Sequence, residues 1–230
     1  MSKKYNVILD LDQTCISSEE KNQPNKFNPD KYRSKMKQFQ CAEMDDLYYV
    51  FGRPYLQSFL EFLFENFNVS VWTAATKDYA MFIIEHFLLA NKKNRKLDYV
   101  FHSEHCDVSH AMKKKTKDLS MLYNFYKIPQ FNPNNTFIID DYKEVYRTQP
   151  SRCMFINPFE FKDHQSINDR ELITIINILK KILKTNNVDK YINKFNKRNK
   201  SITHHKHRKK SKSKSKHKSK HFKDIANITN

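Results

Sequence analysis

Two pairs of aspartates stand where apolar runs end. In VILDLDQT, residues 7–14, three apolar residues lead into Asp10, and Asp12 follows two positions later. In TFIIDD, residues 136–141, the run closes on Asp140 and Asp141, and VSVW at 69–72 runs into Thr73. Short apolar runs of this kind read as buried strands. In an open α/β sheet, ligands gather beyond the carboxyl ends of the strands. Four carboxylates at one such edge would repel one another unless a cation sat among them. Hard oxygen donors suit Mg2+, which keeps several waters and shares its remaining positions with a phosphate. Residues two apart on a strand point to the same side, so Asp10 and Asp12 are expected together. Acids at buried strand ends are therefore expected to hold a metal and do chemistry.

The elements that must position them follow from periodicity. Residues 5–10 read as a first buried strand, and residues 17–46, polar with Pro24 and Pro29, as a long loop or small insertion. LYYVFGRP gives a short strand, and Pro54 fits the first turn of a helix. That helix carries Leu56, Phe59, Leu60, Leu63 and Phe67 on one face. A second helix has the stripe Ala80, Ile83, Ile84, Phe87 and Leu88. Residues 91–117 are basic and histidine-containing, and are expected to be a strand with an inserted hairpin. A helix is expected over about 118–127, a strand at 153–157, and a last helix from Asn168 with a capping-box pattern to Glu171. Its stripe is Leu172, Ile175, Ile176, Leu179 and Leu183. Strands alternating with amphipathic helices predict an α/β fold, a three-layer α/β/α Rossmann-like arrangement around a mostly parallel sheet.

Composition narrows the function classes. The 230 residues contain one glycine, Gly52, which excludes Gly-rich phosphate loops of the Walker or dinucleotide type. Four cysteines, Cys15, Cys41, Cys106 and Cys153, form no Cys-x-x-Cys pair, which argues for a reducing, intracellular compartment and against structural zinc. The apolar run near the start is interrupted too early for a signal peptide, and no stretch is long enough to span a membrane. The formal charge of +17 is uneven: residues 197–221 hold twelve Lys or Arg and no acid, leaving +5 for the rest. Two regions are expected, a folded domain over 1–196 and a basic low-complexity tail over 197–230 that cannot bury enough apolar surface to fold.

The motifs, in order, resemble the haloacid dehalogenase superfamily of aspartyl-phosphate enzymes. The resemblance is closest to its NLI-interacting-factor-like branch of small phosphatases acting on the RNA polymerase II C-terminal domain. VILDLDQT matches that family's Asp-x-Asp-x-Thr motif, VFGRPYLQSFL its Arg-Pro entry to a helix, and VWTAATKDYA its Thr-Ala…Tyr-Ala motif. TKDLSML matches Lys-Asp-Leu-Ser and FIIDDY the final acidic pair, over about residues 5–185. The resemblance implies Asp10 as the nucleophile that forms an aspartyl-phosphate, and Asp12 as general acid and then base. It implies Mg2+ held by Asp10, the Asp12 backbone carbonyl, Asp140 and Asp141. Thr73 would donate to a phosphoryl oxygen, Lys117 would offset its charge, and Thr14 is a secondary member. The implied substrate is a phosphoserine or phosphothreonine protein. Gln13 and Cys15 depart from the family's usual residues after the second Asp, and His102 stands where many relatives carry Arg.

Competing readings are plainer. Asp10 and Asp12 alone would be a turn after a strand, Thr73 an ordinary helix entry, and Lys117, inside KKKTK, solvated charge. His102, His105 and His110 with Cys106 suit no common zinc finger and read as a polar insertion. A cysteine-phosphatase loop would need Arg six residues after Cys106, where Met112 stands. The polycation at 197–221 would associate with nucleic acid or another polyanion, or act as a nuclear-targeting signal, placing the protein in the cytoplasm or nucleus. It also leaves open a polynucleotide phosphatase removing a 3′-phosphate, or a silent binding module on the same fold. Nothing in the sequence fixes an oligomeric state.

Overall fold

Val7, Ile8 and Leu9 are fully buried because the first strand, Asn6–Leu9 (β1), lies in the middle of a sheet with both faces covered. Its alternate residues face opposite layers: Val7 and Leu9 join one apolar cluster and Ile8 the other. The computed structural model describes residues 3–21 and 27–199. Around β1 run the parallel strands Asn68–Trp72 (β5), Val100–Phe101 (β6), Thr136–Asp140 (β7) and Cys153–Phe155 (β8). Their order is β6-β5-β1-β7-β8. The chain first builds outward through β5 to β6 and then returns to the other side of β1 for β7. The crevice between β1 and β7 is therefore the topological switch point, where such sheets bind ligands. The register pairs Leu9 with Ile139, which carries Asp10 and Asp140 to adjacent strand ends.

The larger layer is built by helices whose stripes are legible in the sequence. Leu56–Asn66 (α2) buries Leu56, Phe59, Leu60, Leu63 and Phe64, and Glu171–Thr185 (α6) buries Leu172, Ile175, Ile176, Leu179 and Ile182. Each such side chain contributes about 1.5–3 kcal/mol when fully removed from water. Lys77–Ile83 (α3) continues as a wider helical turn, Ile84–Leu89, and its stripe from Ala80 to Leu88 is buried as expected. The opposite layer packs Trp72, Phe101, Met121, Leu122 and Val145 against Ile8 and Ile138. Two further helices flank it, Ser103–Lys113 (α4) and Lys143–Thr148 (α5).

Several expectations are corrected. The segment 91–117 holds no hairpin: after the two-residue β6 it forms α4, which buries only Cys106 and Ser109. Two inward residues leave too weak an apolar stripe to announce a helix. Over 118–127 the helical turn is short and wide, with the Tyr126 N–H reaching the Met121 carbonyl at 2.8 Å. Of the two readings of residues 17–46, the small insertion holds and the long loop does not, where they are described. Ile16–Glu20 (β2), Cys41–Met44 (β3) and Tyr48–Gly52 (β4) form an antiparallel sheet in the order β2-β4-β3. The helix Pro29–Met36 (α1) precedes β3, and Phe51 stacks on Phe161 with centroids 3.7 Å apart. Tyr55 has a left-handed backbone, so α2 starts at Leu56 and Pro54 lies ahead of it. The capping box at Asn168 does not form. Asn168 sits in a preceding turn, and the Asp169 carboxylate accepts the Glu171 N–H at 2.9 Å.

One more helix spans 188–199 (α7), with Ile192 and Phe195 in the core. Asn199 is buried and donates to the Phe155 carbonyl, so α7 runs past 196 and Asn199 packs with the folded part. The remaining basic tail, 200–230, lies outside the described residues. Among the described residues no helix is long and apolar enough to cross a membrane.

Candidate active site

The β1 ladder ends at Leu9, and the Asp10 N–H still reaches the Ile139 carbonyl at 3.1 Å. Beyond it the chain folds into a tight loop: the Cys15 and Ile16 amides both return to the Leu11 carbonyl. Gln13 takes a left-handed backbone, φ 57°. In a chain with one glycine such positions fall to side-chain-bearing residues, at roughly 1 kcal/mol each. Arg53 holds this loop in place. Fully buried, it donates to the carbonyls of Gln13, Thr14 and Asn157, and closes a bidentate pair with Asp169 at 2.8 and 3.2 Å. The Arg-Pro motif thus braces this loop against the start of α6.

At the switch point, Lys117 is the centre of charge. Its ammonium lies 2.5 Å from Asp10 Oδ1 and 2.8 Å from Asp140 Oδ2, with all three side chains buried. Burial alone would lower this lysine, but the two carboxylates outweigh it and hold it above its ordinary range. The second oxygen of Asp140 accepts the Tyr142 N–H at 2.7 Å. Lys117 also has a left-handed backbone, φ 50°, fixed from both sides: Gln149 donates to its carbonyl, and the buried Ser109 hydroxyl accepts the next N–H, that of Asp118. KKKTK is thus not uniform solvated charge. Its last lysine turns inward.

Asp10, Asp140 and Asp141 each offer a carboxylate oxygen within 4.8 Å of the others, the one such group among the described residues. Asp141 accepts from Thr14 Oγ1 at 3.2 Å. Burial raises Asp141 to about 7, helped by the charges of Asp10 and Asp140, and raises Asp140 to about 6. One lysine against this many carboxylates leaves an excess of negative charge. All-oxygen donors with spare charge fit Mg2+. Asp12 lies apart from the trio by its side chain: its carboxylate accepts from Tyr79 Oη at 2.7 Å. Burial raises it to about 6, with the Tyr79 hydrogen bond opposing. Such a carboxyl can carry a proton near neutral pH. Thr73, buried at the end of β5, accepts the Ala75 N–H at 3.1 Å, which leaves its own hydroxyl proton to donate.

All seven residues singled out from sequence lie at or just beyond the carboxyl edge, or on the loops meeting it. Tyr79, Arg53, Ser109 and Gln149 were not singled out for the site. Tyr79 and Arg53 fall inside quoted motifs, but nothing in the sequence gives their partners. The histidine segment does not converge on a metal: Cys106 is turned into the core with its thiol on the Thr73 carbonyl, and the His105 ring accepts the His102 N–H.

The sequence profile described as NLI interacting factor-like phosphatase matches residues 5–189. The chain belongs to that family. CTD phosphatase-like protein 355R of Invertebrate iridescent virus 6 is 41% identical over 181 residues, 77% of this chain and 98% of the relative. The protein of the same name in Invertebrate iridescent virus 3 is 37% identical over 181 residues, 76% of this chain and 94% of the relative. Among solved structures, Fcp1, an RNA polymerase II CTD phosphatase, superposes with a TM-score of 0.51 at 20% identity. That match covers 76% of this chain and 49% of the Fcp1 chain, so this chain spans about half of it. The family fold is the haloacid dehalogenase-like one expected from the motifs, with the mostly parallel sheet in its centre.

Tyr79→Phe tests the link to Asp12. Its hydrogen bond favours the carboxylate, so removing it raises Asp12 further. If Asp12 acts as the acid, the alkaline limb of the kcat–pH profile moves to higher pH, and an unmoved limb would separate Tyr79 from proton transfer.

Proposed function

We propose that this chain is a Mg2+-dependent phosphatase of phosphoserine or phosphothreonine in proteins, working through an aspartyl-phosphate on Asp10, with an RNA polymerase II C-terminal-domain-like segment as the model substrate. The observation that carries the reading is the buried Asp10–Lys117–Asp140 constellation at the β1/β7 crevice of a family phosphatase. A carboxylate oxygen of Asp10 attacks phosphorus as the bond to the seryl oxygen breaks, and Asp12 gives its proton to that oxygen. Asp12, now a carboxylate, takes a proton from the water that attacks the aspartyl-phosphate, and Asp10 is released. General acid–base assistance of this kind contributes about 10²–10⁴-fold. Lys117 and the Thr73 hydroxyl face the phosphoryl oxygens, where positioned positive charge and donors stabilise the transferring group. Asp10, Asp140 and Asp141 would hold Mg2+, which when bound neutralises phosphoryl charge. Lys117 also holds the Asp10 carboxylate in place through their 2.5 Å ion pair.

Metal affinity should follow the titration of the acids. Asp140 and Asp141 are raised to about 6 and 7 and must lose their protons to bind a cation. The rise in melting temperature on adding Mg2+ is therefore expected to be small at pH 5 and to grow through pH 8. Asp141→Asn should remove most of that rise. A pH-independent increment would mean the cation binds elsewhere.

The deciding assay compares p-nitrophenyl phosphate, a phosphoserine peptide and a 3′-phosphorylated oligonucleotide, with and without Mg2+. Metal-dependent turnover of the small ester and the peptide is expected. Turnover of the oligonucleotide in preference to the peptide would replace the protein substrate with a polynucleotide.

A further inference from the structure

Beside the acids, between the end of α4 and the start of α5, lies a cavity of about 370 Å3. His110, Lys114, Lys115, Thr116, Tyr142 and Arg147 line it. It adjoins the reacting centre through the chain itself. Thr116 precedes Lys117, and Tyr142 follows Asp141, each one Cα step of about 3.8 Å away. The Tyr142 N–H that binds Asp140 belongs to the same wall.

The cations here are part of a fixed loop. Lys114 caps α4 with a left-handed backbone, φ 55°, its N–H on the His110 carbonyl at 2.8 Å. The Lys115 carbonyl accepts from the Ser109 hydroxyl at 2.8 Å, and Ser109 is fully buried. One hydroxyl thus orders both the inward Lys117 and the outward pair before it. Arg147 is held by Glu144 on its own helix, and its guanidinium has donors beyond those one carboxylate uses. Lys114, Lys115 and Arg147 share this lining with a single carboxylate, Glu144. The adjoining edge, with Asp10, Asp12, Asp140 and Asp141, would repel any anion other than one neutralised by Lys117 and a metal. A negatively charged neighbour of the reacting group needs cations set to the side, and they are set here.

We infer that this cavity is a second subsite, which takes an anionic side chain, a carboxylate or a second phosphoryl group, two or three residues from the phosphoserine being hydrolysed. In extended peptide that spacing covers roughly 7–10 Å. Glu144 within the pocket and the acids at its edge bound it on two sides. That suits one anionic group rather than a run of backbone phosphates. The inference rests on the phosphoprotein reading above and adds a substrate preference to it.

The test uses phosphoserine peptides that are neutral, that carry glutamate two or three residues to either side, or that carry a second phosphoserine there. They are assayed on the full chain and on the Lys115→Gln/Arg147→Gln variant, with p-nitrophenyl phosphate as control. The wild-type protein should favour an anionic peptide in kcat/KM on the order of tenfold. The difference should lie in KM and shrink with added salt. In the variant it should fall to about twofold or less, with the small ester unaffected. The glutamate and phosphoserine arms identify which anion is preferred. Fluorescence anisotropy of the same labelled peptides on Asp10→Asn gives the ranking without turnover. Failure of the phosphatase reading would show as no hydrolysis of the small ester. Equal affinity of neutral and anionic peptides, or a preference that survives in the variant, would overturn the subsite. So would a loss in the variant confined to a 3′-phosphorylated oligonucleotide.

Discussion

Asp10→Asn is expected to lower kcat on the order of 10⁵-fold on p-nitrophenyl phosphate and phosphopeptide alike. The amide keeps the shape of the side chain and removes the carboxylate oxygen proposed as nucleophile, so on that proposal no bond to phosphorus forms there. The loss should be separable from unfolding. Asp10 lies among carboxylates that it pushes upward in pKa, contributing to the raised values of Asp12, Asp140 and Asp141. Neutralising it relieves that repulsion, while Lys117 keeps Asp140 at 2.8 Å as partner. The metal-free variant should therefore melt within a few degrees of wild type. Acid quenching of the reaction should leave a phosphoryl group on wild-type protein and none on the variant. Turnover above about one per cent of wild type in a folded Asp10→Asn protein would assign the nucleophile to another group.

Lys117→Met is expected to cost both activity and fold stability. Removing one partner of a buried ion pair leaves an uncompensated charge, typically about 3–5 kcal/mol. For a chain of this size that corresponds to roughly 10 °C in Tm. The pH dependence has a definite sign. Asp12 and Asp140 are raised to about 6 and Asp141 to about 7, burial being the first cause of each. A carboxyl raised in the fold destabilises the native state as it ionises. Metal-free wild type should therefore lose stability as pH rises from about 4 to 7. Lys117 limits that loss through Asp10 and Asp140. Its own folded pKa is raised, so it stays charged and its contribution persists across this window. Without it the loss should steepen, with the deficit smallest near pH 4, where the acids can protonate. Adding Asp10→Asn to Lys117→Met should return part of the stability and none of the activity. Denaturant melts from pH 4 to 8 decide it. A deficit independent of pH would mean that lost packing, and not charge, is what Lys117 supplies.

The sequence by itself determined the strands of the central sheet, the two long apolar stripes and the order of the motifs. Val7 to Leu9 and Thr136 to Ile139 are apolar runs because both faces of a central parallel strand are covered, and such runs are legible without coordinates. The helices 56–66 and 171–185 are legible for the same reason, since an amphipathic face repeats at helical spacing. The aspartates stood out because acids interrupt these runs where water alone gives no reason for them.

The tertiary structure decided the partnerships. Strand alternation puts Asp10 and Asp12 on one side, yet the ladder stops at Leu9. A left-handed Gln13 then helps turn the loop, and the Asp12 carboxylate goes to Tyr79 while Asp10 goes to Lys117. Helix α4 was hidden because only Cys106 and Ser109 face inward, too few to set a period. The meaning of KKKTK was hidden for another reason. A lysine's role depends on which way its backbone turns, and Lys117 turns inward through a loop pinned by Ser109 and Gln149, residues 8 and 32 positions away in the chain. Residue type and local period carry the fold and nominate the acids. Burial and long-range hydrogen bonds, which no local pattern encodes, assign each of them its partner.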